Sequence, residues 1–395
     1  MSLIKYVDRK NTDCLKWDGL RHSFSCDDLL AMWVADMDFR IPDCVIRRLS
    51  DYVEQGTFGY YRPPEGYYDA FINWEKRYHG YEVKREWLRF APGVVPAFNW
   101  MVQILTEAGD AVAVMTPVYY PFMAAVRNNG RQLVECPLLQ TERGFEMDHD
   151  GFEEAIEREN VRAFIFCSPH NPVGRVWKKE EIRRMLDICS RHGVYIISDE
   201  IHHDLIMSGH KHVPAATTGA YDDILVTLTA ATKTFNLASV QNSIAIIPDR
   251  SLRAKWDRFT EGIRISSGNA FGYIAVQAAY EEGRPWLEEL LEVIEGNYKH
   301  LRSRLEAELP EVRIADLEGT YLMWIDLSAY IDPTIASTHD TKEKAIKYLM
   351  EDKCGIAVDY GAWFGGDHAG CIRVNLATSR ENIGSAADRI ITALK

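Results

Sequence analysis

An α/β protein is predicted for this 395-residue chain: a large domain built on a mainly parallel sheet, followed by a smaller α+β domain. Three observations predict it. Between about Gly56 and Gly283 short apolar runs alternate with helical segments; past Gly283 the pattern changes to one long amphipathic stretch; and several apolar runs end on polar residues of the kinds that build ligand sites.

The runs 111–115, 162–167, 194–198, 224–228 and 244–247 read as buried strands, because a strand covered on both faces is apolar throughout rather than alternating. Between two of them, 180–192 places Ile182, Met185, Leu186 and Cys189 on one helical face and stops at Gly193. From Pro285 onward Leu287, Leu290, Leu291, Ile294, Tyr298, Leu301 and Leu305 recur at helical spacing. An alternating strand (321–327), a helix (341–352), a strand (371–377) and a last helix reaching Lys395 follow. The expected division is therefore an N-terminal segment, 1–45, a large domain, 46–283, and a small domain, 284–395. The N-terminal segment fits neither pattern, and its stretch MWVADMDF (32–39) is expected to pack as a loop near the functional site and the small domain.

The formal net charge of −13, with basic residues dispersed among acidic ones, argues against nucleic acid or an anionic membrane as the main partner and for a small molecule. The eight cysteines show no C-x-x-C spacing and read as reduced thiols. No signal-peptide pattern and no apolar run of ~20 residues is visible, so cytoplasmic residence is expected.

In an open parallel sheet ligands bind beyond the carboxyl ends of the strands. There this sequence places Asn171 (SPHNPVG), Asp199 (SDEIH) and Lys233 (ATKTFNL). A lysine can form a Schiff base with an aldehyde, an aspartate can keep a pyridine nitrogen protonated, and an asparagine can donate to a ring hydroxyl, which together suggest a pyridoxal phosphate site. Taken singly each has a plainer reading: a surface lysine, a helix N-cap, a turn between prolines. Their common position favours the cofactor. Tyr119, after another strand, is a candidate to stack on the ring. The glycine turn Pro92–Gly93–Val94–Val95 entering a helix is a candidate phosphate cradle, and Arg373 could pair with an α-carboxylate from the second domain, with closure on substrate. His202, His203, His210 and His212 cluster in sequence, but adjacent histidines on a strand point to opposite faces, so no metal site is predicted; His202 could hold the ring hydroxyl instead.

These segments resemble the fold type I pyridoxal phosphate enzymes of the aminotransferase class I/II superfamily, and within them the cystathionine β-lyase or cysteine carbon–sulfur lyase branch. The resemblance spans almost the whole chain and is carried by MWVADMDF (32–39), FGYYRPPEG (58–66), TPVYYPF (116–122), CSPHNPVGRVW (167–177), SDEIHHDL (198–205), ATKTFNL (231–237) and WFGGDHAGCIRVNLATSR (363–380). It implies the aspartate aminotransferase (PLP-dependent transferase-like) fold. Lys233 would be the Schiff-base lysine, Asp199 the partner of the pyridinium, Asn171 and His202 those of the ring hydroxyl, and Tyr119 that of the ring face. Val94, Val95 and Thr232 would hold the phosphate, with Tyr60 reaching in from the neighbouring subunit of a homodimer, and Arg373 would take the substrate carboxylate. The implied reaction is β-elimination of L-cystathionine or a cysteine S-conjugate to a thiol, pyruvate and ammonia. The alternatives are an aminotransferase, which shares the same residues up to removal of the Cα proton, and a regulatory protein that retains the cofactor site. Tyr360–Gly361, Asp367–His368 and Ser379–Arg380 depart from the family pattern and bear on the side-chain pocket.

Overall fold

The computed structural model describes residues 2–331 and 341–395; Met1 and 332–340, within the predicted N-terminal segment and small domain, lie outside the described residues. The large sheet has seven strands: β1 (Leu88–Ala91), β2 (Ala111–Thr116), β3 (Gln132–Pro137), β4 (Val161–Cys167), β5 (Tyr195–Asp199), β6 (Leu225–Thr229) and β7 (Ser243–Ile246). Their spatial order is β1-β7-β6-β5-β4-β2-β3. The β6-β5-β4-β2-β3 block is parallel, and β7 runs antiparallel to both β6 and β1.

Both faces of the sheet are covered, as the apolar runs required. Along β4, Phe164 and Phe166 enter one core cluster while Ala163, Ile165 and Cys167 enter another, the two-residue alternation of a strand packed on each side. Two strands have no counterpart in the sequence reading. Edge strand β3 alternates buried and exposed residues and ends on Pro137, so it lacks a continuous apolar run. β1 is only four residues long and carries Arg89.

The smaller sheet comprises β8 (Arg313–Ile314), β9 (Leu322–Asp326), β10 (Asp359–Tyr360) and β11 (Cys371–Asn375), all antiparallel, in the order β8-β9-β11-β10. The amphipathic stretch is one 25-residue helix, Arg284–Glu308, burying Trp286, Leu287, Leu290, Ile294, Tyr298, Leu301 and Leu305 along one face. The final helix, Arg380–Leu394, is capped by Ser379, whose hydroxyl accepts the Asn382 N–H at 3.1 Å.

The N-terminal segment is stitched to this smaller sheet. Leu30–Ala31 pairs in parallel with Ile356–Ala357, and the Asn375 side-chain amide donates to the carbonyls of Val34 and Asp36, both at 2.7 Å. From the other side Lys16, with no exposed side-chain surface, donates to the Asp38 carboxylate at 2.7 Å, while Trp17 donates to its second oxygen at 2.9 Å. The loop 32–39 is thus held at both flanks. All eight cysteines are free thiols, and no helix among the described residues is long and apolar enough to cross a membrane.

Candidate active site

Strands β4, β5 and β6 end side by side, so whatever follows each of them meets at one edge. Asp199 is the last residue of β5 rather than the first beyond it, which fixes its carboxylate on a rigid element. After β4 the chain turns through Ser168–Gly174; after β6 it enters the short helix Ala231–Thr234, which carries Lys233. The helix Val94–Leu105 starts opposite them. Together they enclose a cleft of about 160 Å³ lined by Ala35, Val94, Val95, Tyr119, Asn171, Asp199, His202 and Lys233, among others.

Charge in the cleft is poorly compensated. Asp199 accepts one backbone N–H, from Ile201 at 3.1 Å, and burial pushes its carboxyl up to about 7. Loss of hydration pulls the Lys233 amine down to about 8, against the opposing pull of Asp36 and Asp199. The amine donates to the Ala35 carbonyl at 2.5 Å, which puts the N-terminal loop in direct contact with the site. His202 is buried, its Nδ1 has no hydrogen-bond partner, and burial together with the charges of Lys233 and Arg373 keeps the ring neutral. Val94 and Val95 begin a helix, where backbone N–H groups lack intrahelical acceptors.

Of the residues singled out in the sequence, Val94, Val95, Tyr119, Asn171, Asp199, His202 and Lys233 therefore share one cleft. Arg373 touches it from β11 by donating to the Asn171 side-chain oxygen at 2.8 Å; its other terminal nitrogen donates to the buried Asp359 carboxylate, and its guanidinium stands 4.9 Å from the Phe364 ring centre. Thr232 precedes Lys233 but does not line the cleft, and Tyr60 is fully exposed on its own chain.

One expectation is corrected. His202 and His203 lie in a turn after β5, not on a strand, and the turn sends His202 to the cleft and His203 to a separate group around Glu75. Three contributors were not named from sequence: Ala35, whose part is played by its backbone carbonyl; Asp359, next to the noted departure at Tyr360; and Tyr321, packed edge-on to His202 with ring centres 5.9 Å apart. The departures themselves serve structure: Tyr360 donates to Glu351 at 2.8 Å, His368 packs on Trp324, Ser379 caps a helix, and Arg380 donates to the Gly296 carbonyl.

A ligand with a basic ring nitrogen, a neighbouring ring oxygen and a phosphate fits these groups. The nitrogen would face the uncompensated Asp199 carboxylate, the oxygen the orphaned His202 Nδ1 and Asn171, and the phosphate the free N–H groups at Val94 and Val95.

A mainly parallel sheet that gathers a lysine, an aspartate and an asparagine at its carboxyl edge defines an aspartate-aminotransferase-like fold. The chain belongs to the aminotransferase class I and II family, whose model matches residues 28–390. It is 38% identical to the cystathionine beta-lyase PatB of Bacillus subtilis over 395 residues, covering all of both chains. In structure it is similar to a PLP-bound, provisionally assigned aminotransferase of Clostridium difficile (TM-score 0.94, 37% identity, 100% of this chain and 99% of that one). It is also similar to the PLP-bound C-S lyase of Staphylococcus hominis (TM-score 0.90, 32% identity, 99% and 97%).

Proposed function

We propose that this protein is a pyridoxal-phosphate-dependent carbon–sulfur β-lyase that cleaves L-cystathionine or related cysteine S-conjugates. The observation that carries the reading is the convergence of Lys233, Asp199, Asn171 and His202 on one cleft whose charges await a partner. The cofactor supplies an electron sink for the carbon adjacent to the amino group.

The protein's residues do the rest. Asp199 would keep the ring nitrogen protonated; Asn171 and His202 would hold the ring oxygen; Val94 and Val95 would hold the phosphate, with the Thr232 hydroxyl, one residue before Lys233, joining them once the group is bound; Tyr119 would cover the ring face. Arg373 binds the substrate α-carboxylate, exchanging part of its hold on Asn171 for it. Lys233, whose amine burial brings down to about 8, would hold the cofactor at its aldehyde and would be the base that takes the Cα proton of the substrate. The Cβ–S bond then breaks with the electron pair leaving on sulfur, and the released aminoacrylate takes up one water to give pyruvate and ammonia.

The same reading makes the protein a cytoplasmic homodimer. Phe58, Tyr60, Tyr61 and Phe271 form an exposed aromatic patch around a stretch without regular structure; covered by a second copy, it would carry Tyr60 to the partner's phosphate end. Domain borders at 45/46 and 283/284 accompany it; the second coincides with the start of the long helix at Arg284, whereas the first falls inside the helix Asp43–Glu54.

The test is to add L-cystathionine to the yellow holoenzyme without any keto acid. Equimolar pyruvate and thiol are expected. A yellow protein that forms neither product until a keto acid is added is an aminotransferase, and a colourless protein that pyridoxal phosphate cannot reconstitute lacks the site.

A further inference from the structure

The segment after Asp199 that delivers His202 to the cleft sends its other polar residues elsewhere. Glu200, His203 and Asp204 meet buried Glu75 and His212 and half-buried His79 in one group, none of whose members lines the cleft. We propose that Glu75, His79 and His203 form a divalent-cation site of the zinc type.

Glu75 and His79 lie at the two ends of a single π-helical turn that continues the helix Glu65–Trp74, so the backbone there brings them to one side. One donor atom from each of Glu75, His79 and His203 lies within 4.8 Å of the other two. At that outer limit a common centre is ~2.8 Å from each donor, against the ~2.0–2.2 Å of bound zinc, a contraction that side-chain rotation can supply.

The outer shell resembles what stands behind metal-bound histidines. His203 Nδ1 is 2.7 Å from the Glu200 carbonyl oxygen, which can only accept; the proton is therefore on Nδ1, and Nε2 is turned toward Glu75. His79 Nε2 pairs with the Asp204 carboxylate at 2.8 Å, and Asp204 is itself fixed by Trp74 Nε1 at 2.9 Å and Thr234 Oγ1 at 2.8 Å. His212 Nε2 pairs in the same way with Glu200 at 2.9 Å. Carboxylate–histidine pairs of this kind fix the tautomer and raise the basicity of a ligating ring.

The inner atoms lack aligned hydrogen bonds. Glu75 Oε1 and His203 Nε2 are buried and 3.2 Å apart, with Asp204 Oδ2 3.5 Å from the same nitrogen, yet no aligned hydrogen bond joins them. Buried polar atoms without aligned partners are destabilising, and a cation between Glu75 Oε1 and His203 Nε2 would satisfy both. Imidazole nitrogens with one carboxylate select zinc or a neighbouring transition metal over calcium or magnesium, which favour all-oxygen sites. Access is available through a pocket of about 220 Å³ lined by His79, His203, His210 and His212. The competing occupant is a proton shared between His203 and Glu75.

The experiment uses untagged holoenzyme dialysed against a chelator and titrated with zinc by calorimetry, then with cobalt(II) to read ligand-field bands beyond the cofactor absorption. One equivalent per chain is expected. His79→Gln and Glu75→Gln should each weaken uptake at least tenfold, whereas His210→Ala, at the rim of the pocket, should bind as the parent does. Parent holoenzyme that takes up no stoichiometric zinc overturns the proposal in favour of the shared proton, whether or not the variants fold; unchanged affinity in folded His79→Gln also overturns it.

Discussion

Two lysines approach the same loop from opposite sides, and only one of them is placed to react. Lys16 has the Asp38 carboxylate at 2.7 Å and no exposed side-chain surface; Lys233 has only a peptide carbonyl, Ala35, at 2.5 Å, because the nearest loop carboxylate, Asp36, is held by Arg9 at 2.7 Å. A buried ammonium with a carboxylate against it is a staple; one without is pulled toward the neutral amine that nucleophilic and base chemistry needs. The difference lies in which neighbour keeps its charge for the lysine.

The strongest way to sharpen that contrast is to delete each amine. Lys233→Ala should cut elimination by ~10³-fold or more while leaving the thermal midpoint near that of the parent, as assayed by pyruvate release and calorimetric melting. Lys16→Met should do the reverse first: it leaves the buried Asp38 carboxylate with only Trp17 at 2.9 Å and Arg9 at 3.8 Å and should cost about 3 kcal/mol of stability in denaturant titrations, most of which the double change Lys16→Met/Asp38→Leu should restore. If Lys16→Met is as stable as the parent, the staple reading is wrong.

Smaller effects test the cleft. Arg373→Lys keeps the charge but loses the two-pronged donor, so KM for the amino acid should rise about tenfold with a lesser change in kcat. The rate at which cofactor-free protein takes up pyridoxal phosphate should rise with pH and level off above about 8, because only the unprotonated Lys233 amine attacks the aldehyde. Since the folded state holds that amine less protonated than the unfolded chain does, cofactor-free protein should also gain stability as pH climbs from about 8 toward the ordinary lysine range. Arg9→Ala, at a partly exposed pair, should cost only about 0.5–1 kcal/mol, but it frees Asp36 and should move the pH at which uptake levels off upward.

What could be read in the sequence was what local pattern encodes. The runs that became β2, β4, β5, β6 and β7 are mostly apolar because both faces are covered, and residues that close or shortly follow three of them carried the chemistry. β3 escaped because an edge strand alternates, and Asp359 because nothing in its own neighbourhood marks a partner fourteen positions away on another strand. Ala35 is the clearest limit. Its contribution is a carbonyl that any residue possesses, so only the path of the loop through space reveals it.

That path joins two ends of the reaction that an engineer would prefer to keep apart. Asn375, which grips the loop carbonyls of Val34 and Asp36 on either side of Ala35, sits two residues from Arg373 on the same strand. Selection for a new acid group at Arg373 that shifts this strand will therefore drag the carbonyl resting on Lys233, and changes in substrate preference should arrive together with changes in the lysine's basicity.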